Sequence, residues 1–170
     1  ATVEGLTGGT AYSYIVQSLD GDGVGDSSDA ATQSTSPATP LDLSSTLQTS
    51  TSISLSWSAS VVQSGGADIT GYRVYQDDVV EYEGSTTAVD MTVDPGTLYE
   101  FEVSAVSAVG EGEKSSQLSQ SSAPGAPAAP TSTHQPSTSI SLSWSAPSSD
   151  SASGDDATRY RVYDVAGEAP

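Results

Sequence analysis

The residues with the clearest capacity for chemistry are the aspartates of DGDGVGDSSD, residues 20–29. Carboxylate oxygens are the ligands that Ca²⁺ prefers, and glycine permits the sharp turn that a calcium loop needs. Asp20, Asp22 and Asp26 are therefore candidate ligands, and Ca²⁺ is the only cofactor that the sequence suggests. The alternative is a tight turn whose acidic side chains are solvated, with no cofactor at all.

Few other residues have the types or spacing for catalysis. The chain has no cysteine and one histidine, His134, so a zinc site of the usual kind is excluded. No G-x-S-x-G nucleophile motif is present. The acidic pairs Glu100 with Glu102 and Asp77 with Asp78 are expected at exposed strand or turn positions, as solvated charge. We therefore expect a protein that is not an enzyme.

The charge of the chain limits its partners. It carries 22 acidic and 4 basic residues, a formal net charge of -18. Such a surface repels nucleic acid and anionic membranes, because both are bound through lysine and arginine. No apolar run approaches the roughly 18 residues of a membrane helix. We expect no nucleic-acid partner and no membrane insertion.

The sequence repeats itself at an interval of 87 residues. TSISLSW begins at residues 51 and 138, and GTAYSYIV at residue 9 matches GTLYEFEV at residue 96. YRVY begins at residues 72 and 160, one residue further apart. The extra residue falls between Trp144 and Tyr160, which indicates a loop.

Apolar and polar residues alternate within each repeat. In SISLSW the residues Ile53, Leu55 and Trp57 alternate with serine, a period of two that predicts a strand with one buried face. YRVY places Arg73 and Tyr75 on the face opposite Tyr72 and Val74, and YEFEV directs Glu100 and Glu102 outward. Short alternating strands between turns rich in Gly, Ser and Asp predict a β-sandwich.

These motifs resemble tandem fibronectin type III domains. The resemblance rests on the prolines Pro37 and Pro40, Trp57 on the second strand, ITGYRVY, and VDPGTLYEFEVSAVSAVGEGEKS at 93–115. It implies an all-β fold of tandem fibronectin type III-like β-sandwiches with immunoglobulin-like architecture. It also implies a tyrosine corner at Tyr99, whose hydroxyl bonds to nearby backbone. The expected core aromatic residues are Trp57, Tyr72, Tyr99, Trp144, Tyr160 and Tyr12.

The repeat predicts three segments. Residues 35–122 form a complete domain, residues 1–34 the C-terminal half of a domain (end of strand E, strands F and G), and residues 123–170 an N-terminal half (strands A, B, C and C′). The two ends together make up nearly one domain. This favours either an excerpt of a longer tandem array or a head-to-tail fibre in which residues 125–170 of one copy complete a sandwich with residues 1–34 of the next.

The repeat also bears on the acidic loop. Residues 20–28 align with residues 107–115, the turn between strands F and G, where the glycines are kept and the aspartates are not. An EF-hand needs a carboxylate at position 12, which is Ala31 here, and flanking helices, which are not expected. We therefore favour a tight turn with solvated acidic side chains over a Ca²⁺ site. Positive φ is predicted for the four aligned glycines, Gly23, Gly25, Gly110 and Gly112.

The linkers STSPATP and SSAPGAPAAPTST mix hydroxyl residues with proline, a composition typical of O-glycosylated stalks. The candidate acceptors for covalent glycans are Thr35, Thr39, Thr131, Ser132 and Thr133.

The favoured function is that of an extracellular or cell-surface structural protein. It would be a repeating sandwich unit of a fibre, stalk or surface coat, and its partners would be copies of itself or further tandem domains. The alternative is a non-catalytic spacer or accessory module of a secreted multidomain enzyme or adhesin.

Overall fold

The computed structural model describes residues 1–134, 138–147 and 157–164, and every regular element in them is a β-strand. No helix in these ranges is long and apolar enough to cross a membrane. The first seven strands are β1 (Ala11–Tyr14), β2 (Gln17–Leu19), β3 (Val24–Ser27), β4 (Ala31–Ser34), β5 (Leu41–Gln48), β6 (Ser52–Ser58) and β7 (Ile69–Gln76). The next seven are β8 (Val79–Gly84), β9 (Ala88–Thr92), β10 (Leu98–Ser107), β11 (Gly110–Glu111), β12 (Leu118–Ser121), β13 (Thr131–His134) and β14 (Ser141–Ser143).

Two sheets account for the middle of the chain. One has the order β11-β10-β7-β8, with β12 also paired to β10, and the other has the order β5-β6-β9. Three two-stranded sheets flank them in sequence, β1 with β4, β2 with β3, and β13 with β14. The all-β fold and the sandwich-like arrangement of its sheets confirm the predicted fold class.

The chain contacts divide the protein into two compact units. The first comprises residues 1–45, 55–89 and 100–118. Its core is built by alternate side chains of β6, β7 and β10, which removes apolar surface from water. The rings of Trp57 and Tyr72 meet edge to face, with centroids 5.6 Å apart. The buried apolar residues of this unit are Pro37, Pro40, Leu55, Trp57, Tyr72, Val74, Phe101, Val103 and Ala105.

The second unit comprises residues 46–54, 90–99 and 119–170. Its buried apolar side chains are Ile53, Met91, Val93 and Tyr99. The hydroxyl of Tyr99 accepts a hydrogen bond of 2.9 Å from the backbone N–H of Asp94. This is the geometry of a tyrosine corner, which fixes the turn ahead of β10.

A hydroxyl bridge next to Tyr99 closes the same turn. The side-chain oxygen of Ser122 accepts from the N–H of Thr97 at 3.0 Å and donates to the carbonyl of Asp94 at 2.6 Å. A single hydroxyl thus satisfies two backbone groups of the turn, which would otherwise need other hydrogen-bond partners.

The same contacts recur 87 residues earlier. The N–H of Thr7 donates to the Tyr12 hydroxyl at 2.9 Å. The hydroxyl of Thr35 accepts from the N–H of Thr10 at 3.0 Å and donates to the carbonyl of Thr7 at 2.8 Å. The segment before β1 therefore has the bonding pattern of the segment before β10, and Tyr12 is half-buried there.

A second recurrence involves the other predicted core aromatic residues. Trp144 and Tyr160 lie edge to face with centroids 5.5 Å apart, as do Trp57 and Tyr72. However, Trp144 is 36% and Tyr160 39% exposed, which differs from the buried core position expected for them. Within the described ranges, regular structure after residue 122 is limited to the two-stranded sheet of β13 and β14, whereas Trp57 and Tyr72 belong to sheets of three and five strands.

The glycines of the two aligned turns separate into two kinds. Gly23 and Gly110 have positive φ, 151° and 130°, which confirms the prediction for them. The prediction is wrong for Gly25 and Gly112, whose φ values are not positive. Close approach to backbone explains Gly112, whereas Gly25 is close only to a serine side chain that can rotate. A Cβ on Gly112 would lie 2.3 Å from the carbonyl oxygen of Pro37, and one on Gly25 would lie 2.4 Å from Oγ of Ser18.

The hairpin of β7 and β8 is closed by Asp77 and Asp78, whose φ values are 51° and 66°. Two consecutive positive φ values are typical of a type I′ turn. Asp77 is also bonded to β10, because its N–H donates to the carbonyl of Glu100 and its carboxylate accepts from the N–H of Glu100, both at 2.9 Å. The turn therefore holds the end of β7 against β10.

We predict that Tyr99→Phe lowers the free energy of unfolding by about 1–2 kcal/mol, because the N–H of Asp94 loses its acceptor in a partly buried site. The matched control is Tyr82→Phe, whose hydroxyl bonds only to the exposed Thr86 and whose loss should change stability by less than about 0.5 kcal/mol. Urea unfolding of the 170-residue chain measures both. Equal effects of the two substitutions would show that the corner bond contributes no stability of its own.

Candidate functional site

The densest group of charged side chains lies on the outward face of β7, β10 and β11. Alternation along β7 places Arg73 and Tyr75 opposite the buried Tyr72 and Val74. Pairing of β10 with β7 sets Ser104 beside Arg73, and pairing of β10 with β11 brings Glu111 to the same face. We call Arg73, Tyr75, Ser104, Glu111 and Lys114, together with the acidic residues that pair with them, the charged face.

Arg73 is the first centre of the charged face. Its Nε donates to Glu83 and its Nη1 to Glu111, each at 2.7 Å. Hydrogen bonds and charge from Glu111 and Glu83 raise the pKa of the arginine above its ordinary value. The guanidinium therefore links β8, β7 and β11 across the sheet, and it stays charged at every pH at which the protein is folded.

Glu111 accepts from three side chains. Besides Arg73, the hydroxyls of Tyr75 and Ser104 donate to its carboxylate. Burial raises the pKa of Glu111, but hydrogen bonds from Ser104, Tyr75 and Arg73 lower it more, so that the pKa lies below its ordinary value of 4.5. Burial, followed by the bond to Glu111, raises the pKa of Tyr75. Glu111 is thus held ionised and Tyr75 protonated.

Lys114 is the second cationic centre. Its Nζ lies 2.7 Å from a carboxylate oxygen of Glu102 and 3.0 Å from one of Asp78. It also sits 4.0 Å from the centre of the Tyr75 ring, the geometry of a cation–π contact. Glu102 and then Asp78 raise the pKa of the lysine above its ordinary value. The side chain is held by three partners from three parts of the fold.

The contacts of the charged face link neighbouring strands of the sheet through ion pairs and hydrogen bonds. Arg73 and Lys114 are the only cations between residues 35 and 122, and carboxylates engage both of them. The hydroxyls of Tyr75 and Ser104 both donate to the carboxylate of Glu111, which is held ionised. The charged face therefore has the chemistry of a structural ion-pair network.

The sequence predicted which side chains lie on this face but not which of them form ion pairs. Alternation placed Arg73, Tyr75 and Glu102 outward, yet the acids were expected to be solvated. Arg73 and Glu111 are 38 positions apart in sequence, and Lys114 and Asp78 are 36 positions apart. The scarcity of cations was the available signal, because two cations among many acids rarely stay unpaired.

The acidic loop forms the turn between β2 and β3. A carboxylate oxygen of Asp20 accepts from the N–H groups of Asp22 and Gly23 at 2.9 and 3.0 Å, which makes Asp20 a turn-forming residue. In the described part of the chain, no group of three or more His, Cys, Asp or Glu is placed to hold a metal ion. Calcium binding by Asp20, Asp22 and Asp26 stays a prediction.

The predicted glycan acceptors differ in their surroundings. The hydroxyl of Thr35 is already bonded to Thr10 and Thr7, as described above, so a glycan there would have to break both bonds. Thr39 is half-buried, and Thr131 is exposed at the start of β13. Ser132, Thr133 and His134 complete β13. Glycosylation of all five hydroxyls stays a prediction.

Comparison with known proteins identifies part of the chain. Residues 38–121 match the family model described as Fibronectin type III domain. Chitinase A1 of Niallia circulans is 37% identical over 121 residues, which are 65% of this chain and 17% of that protein. Exoglucanase B of Cellulomonas fimi is 34% identical over 118 residues, 64% of this chain and 11% of that protein. The chain thus spans less than a fifth of the length of these curated relatives.

Among solved structures, the sixth fibronectin type III domain from human fibronectin type III domain containing protein 3 is similar over 55% of this chain and 92% of that one. The sequence identity is 24% and the TM-score is 0.48.

We predict that Glu111→Gln weakens the acid sensitivity of the fold. Because the folded pKa of Glu111 is depressed, its ionised form contributes stability above pH 4.5, and this contribution is lost as the pH falls through the folded value. Between pH 7 and pH 3 the wild type should therefore lose more unfolding free energy than Glu111→Gln. Urea unfolding at both values measures the difference.

The control for this experiment is Glu81→Gln, on the exposed side of β8. This variant should keep the wild-type loss between the two pH values. The role assigned to Glu111 is wrong if Glu111→Gln and Glu81→Gln behave alike.

Proposed function

We propose that the protein, whose residues 38–121 are a fibronectin type III domain, is a non-catalytic spacer or accessory module of a secreted multidomain enzyme or adhesin. It would stand outside the cell and position other domains. Function does not follow from this fold alone, because the fold serves many purposes.

One observation carries the proposal. The chain aligns with 17% of Chitinase A1 and 11% of Exoglucanase B, although each alignment takes in about two thirds of the chain itself. A segment shared with a small part of two differently named enzymes is more readily a common module than the reacting domain of either. The charged face agrees with this role, since its polar groups bond to one another.

Recurring contacts support further copies of the same domain on both sides. The corner bonds of Tyr99 and Ser122 have counterparts at Tyr12 and Thr35, and the Trp57–Tyr72 contact has a counterpart at Trp144 and Tyr160. We therefore extend the proposal to a tandem array of fibronectin type III-like sandwiches. Its net charge of -18 would keep such an array hydrated and repel other acidic surfaces.

We expect the purified chain to release no soluble sugar from chitin or cellulose and to remain in solution when either polysaccharide is sedimented. Hydrolysis would contradict the non-catalytic role. Retention on the polysaccharide would contradict the spacer role and indicate a binding module. The double variant Glu100→Gln, Glu102→Gln removes the pair of carboxylates that lies two residues apart on one face of β10. Any hydrolysis that survives in it would not depend on that pair.

A second candidate is a fibre, stalk or surface coat in which sandwiches of successive copies complete one another. Apolar side chains on both outer segments favour it. Val16 is 72% exposed and Leu142 is 41% exposed, whereas their counterparts in the repeat, Val103 and Leu55, are buried. A contact between two unlike faces that does not close on itself generates a filament.

For this second candidate, we expect the sedimentation coefficient of the chain to rise with concentration and filaments to appear by electron microscopy. Val16→Ser removes exposed apolar surface and should suppress the assembly. Val79→Ser, a similarly exposed valine next to the β7–β8 turn, should leave it unchanged. A chain that stays monomeric at every concentration would contradict assembly by copies of this chain.

A further inference from the structure

Two pairs of glycines meet where the N-terminal segment approaches the fibronectin type III domain. Gly8 and Gly9 lie in the turn before β1, and Gly65 and Gly66 lie in the loop between β6 and β7. All four belong to the first compact unit. We call these four residues the glycine clasp.

The contact across the clasp is made by backbone. The N–H of Gln63 donates to the carbonyl of Gly9 at 2.9 Å, and the N–H of Gly66 donates to the carbonyl of Gln63 at 2.9 Å. A Cβ on Gly66 would lie 1.9 Å from the carbonyl oxygen of Gly9 and 2.7 Å from its carbon. Real Cβ atoms do not come this close to backbone, so only glycine fits while the clasp is closed.

The other glycines of the clasp are also confined. Gly9 has a φ of 66°, and a Cβ there would lie 3.0 Å from the carbonyl oxygen of Val61. Gly65 has a φ of 75°, and a Cβ there would lie 3.1 Å from the Cβ of Ala11. Left-handed backbone at both positions disfavours any side chain, independently of the space around it.

The connecting segment holds the same turn from a second side. The N–H of Gly9 donates to the carbonyl of Ser36 at 2.6 Å, and a Cβ on Gly8 would lie 3.0 Å from Cα of Ala38. On the loop side, the hydroxyl of Ser34 donates to the carbonyl of Gly65 at 3.4 Å. The turn before β1 is therefore fixed between the connection and the loop.

We propose that the glycine clasp locks the N-terminal segment, residues 1–34, in one orientation on the domain at residues 38–121. Neighbouring domains in a chain usually move relative to one another unless the interface between them is large and hydrophobic. Here a small interface of fitted backbone takes that role. Apart from the one donated by the Ser34 hydroxyl, the hydrogen bonds described above join backbone groups, so closing the clasp loses little rotamer entropy. The clasp turns what would be a hinge into a rigid joint.

The second junction shares only part of this device. Pro95 stands at the position of Gly8, whereas Gly96, at the position of Gly9, has a φ of 63°, and its N–H donates to the carbonyl of Ala123. The counterparts of Gly65 and Gly66 fall within Ala152, Ser153 and Gly154, in the loop that holds the extra residue and outside the described ranges. Near Pro95 it is Gly125 that approaches the proline ring, since a Cβ on Gly125 would lie 3.3 Å from the Cβ of Pro95. A rigid joint would serve the proposed spacer role, and its biological purpose rests on that role.

The test is backbone ¹⁵N relaxation of the full 170-residue chain. In the wild type, the amides of β1 and β4 should give the same rotational correlation time as those of β7 and β10. In Gly66→Ala, the added methyl group pushes the clasp open, and the common value should split, with the shorter time at β1 and β4. Gly21→Ala is the matched control, because a Cβ there meets no atom within 4 Å, and it should keep the common value.

Two results would overturn the proposal. The first is a shorter correlation time at β1 and β4 already in the wild type, and the second is an unchanged common value in a folded Gly66→Ala. If Gly66→Ala does not fold, Gly9→Ala opens the clasp from the N-terminal side and leaves the domain core intact. A split correlation time in that variant would support the proposal, and an unchanged common value would overturn it. Neither result would affect the non-catalytic role, which the polysaccharide experiments test separately.

Discussion

The structure depends on one constraint, that each central strand buries every second side chain. Ile53, Leu55 and Trp57 are buried along β6, and Phe101, Val103 and Ala105 along β10. This burial is the main favourable term in folding. The intervening residues lie on the opposite face of the sheet, where Glu102 and the fully buried Ser104 enter the charged face. The alternation of apolar and polar residues therefore determines where the ion pairs form, whereas the ion pairs contribute little to deciding which residues are buried.

The sequence alone was enough for the period-two strands and the repeat interval, and the resemblance to fibronectin type III domains implied the tyrosine corner. These features depend on residues close in sequence or on an internal copy that can be aligned. The partners of Arg73 and Lys114 were not predictable, because strand order and register decide them. The role of Gly112 was also missed, since its neighbour is the carbonyl of Pro37, 75 positions away. Spacing in the sequence carries no information on such approaches.

The clasp and the charged face solve different problems with different chemistry. The charged face uses long side chains that cross between strands, so it tolerates small shifts and responds to pH. The clasp uses backbone atoms and the absence of side chains, so it carries no charge and responds to added volume. The chain has 4 basic residues, so few cations are available for ion pairs at the clasp. Glycine allows the two segments to touch without a charged side chain.

The identity of residues 51–57 and 138–144 has a consequence for how the protein reaches its native state. Both segments offer the same residues to a Trp–Tyr contact, so a chain refolding from denaturant has two candidates for one place in the core. A growing chain on the ribosome does not face this choice, since residues 51–57 emerge first and domains fold in the order of synthesis. We therefore expect vectorial synthesis to favour the correct strand pairing more than refolding from denaturant does.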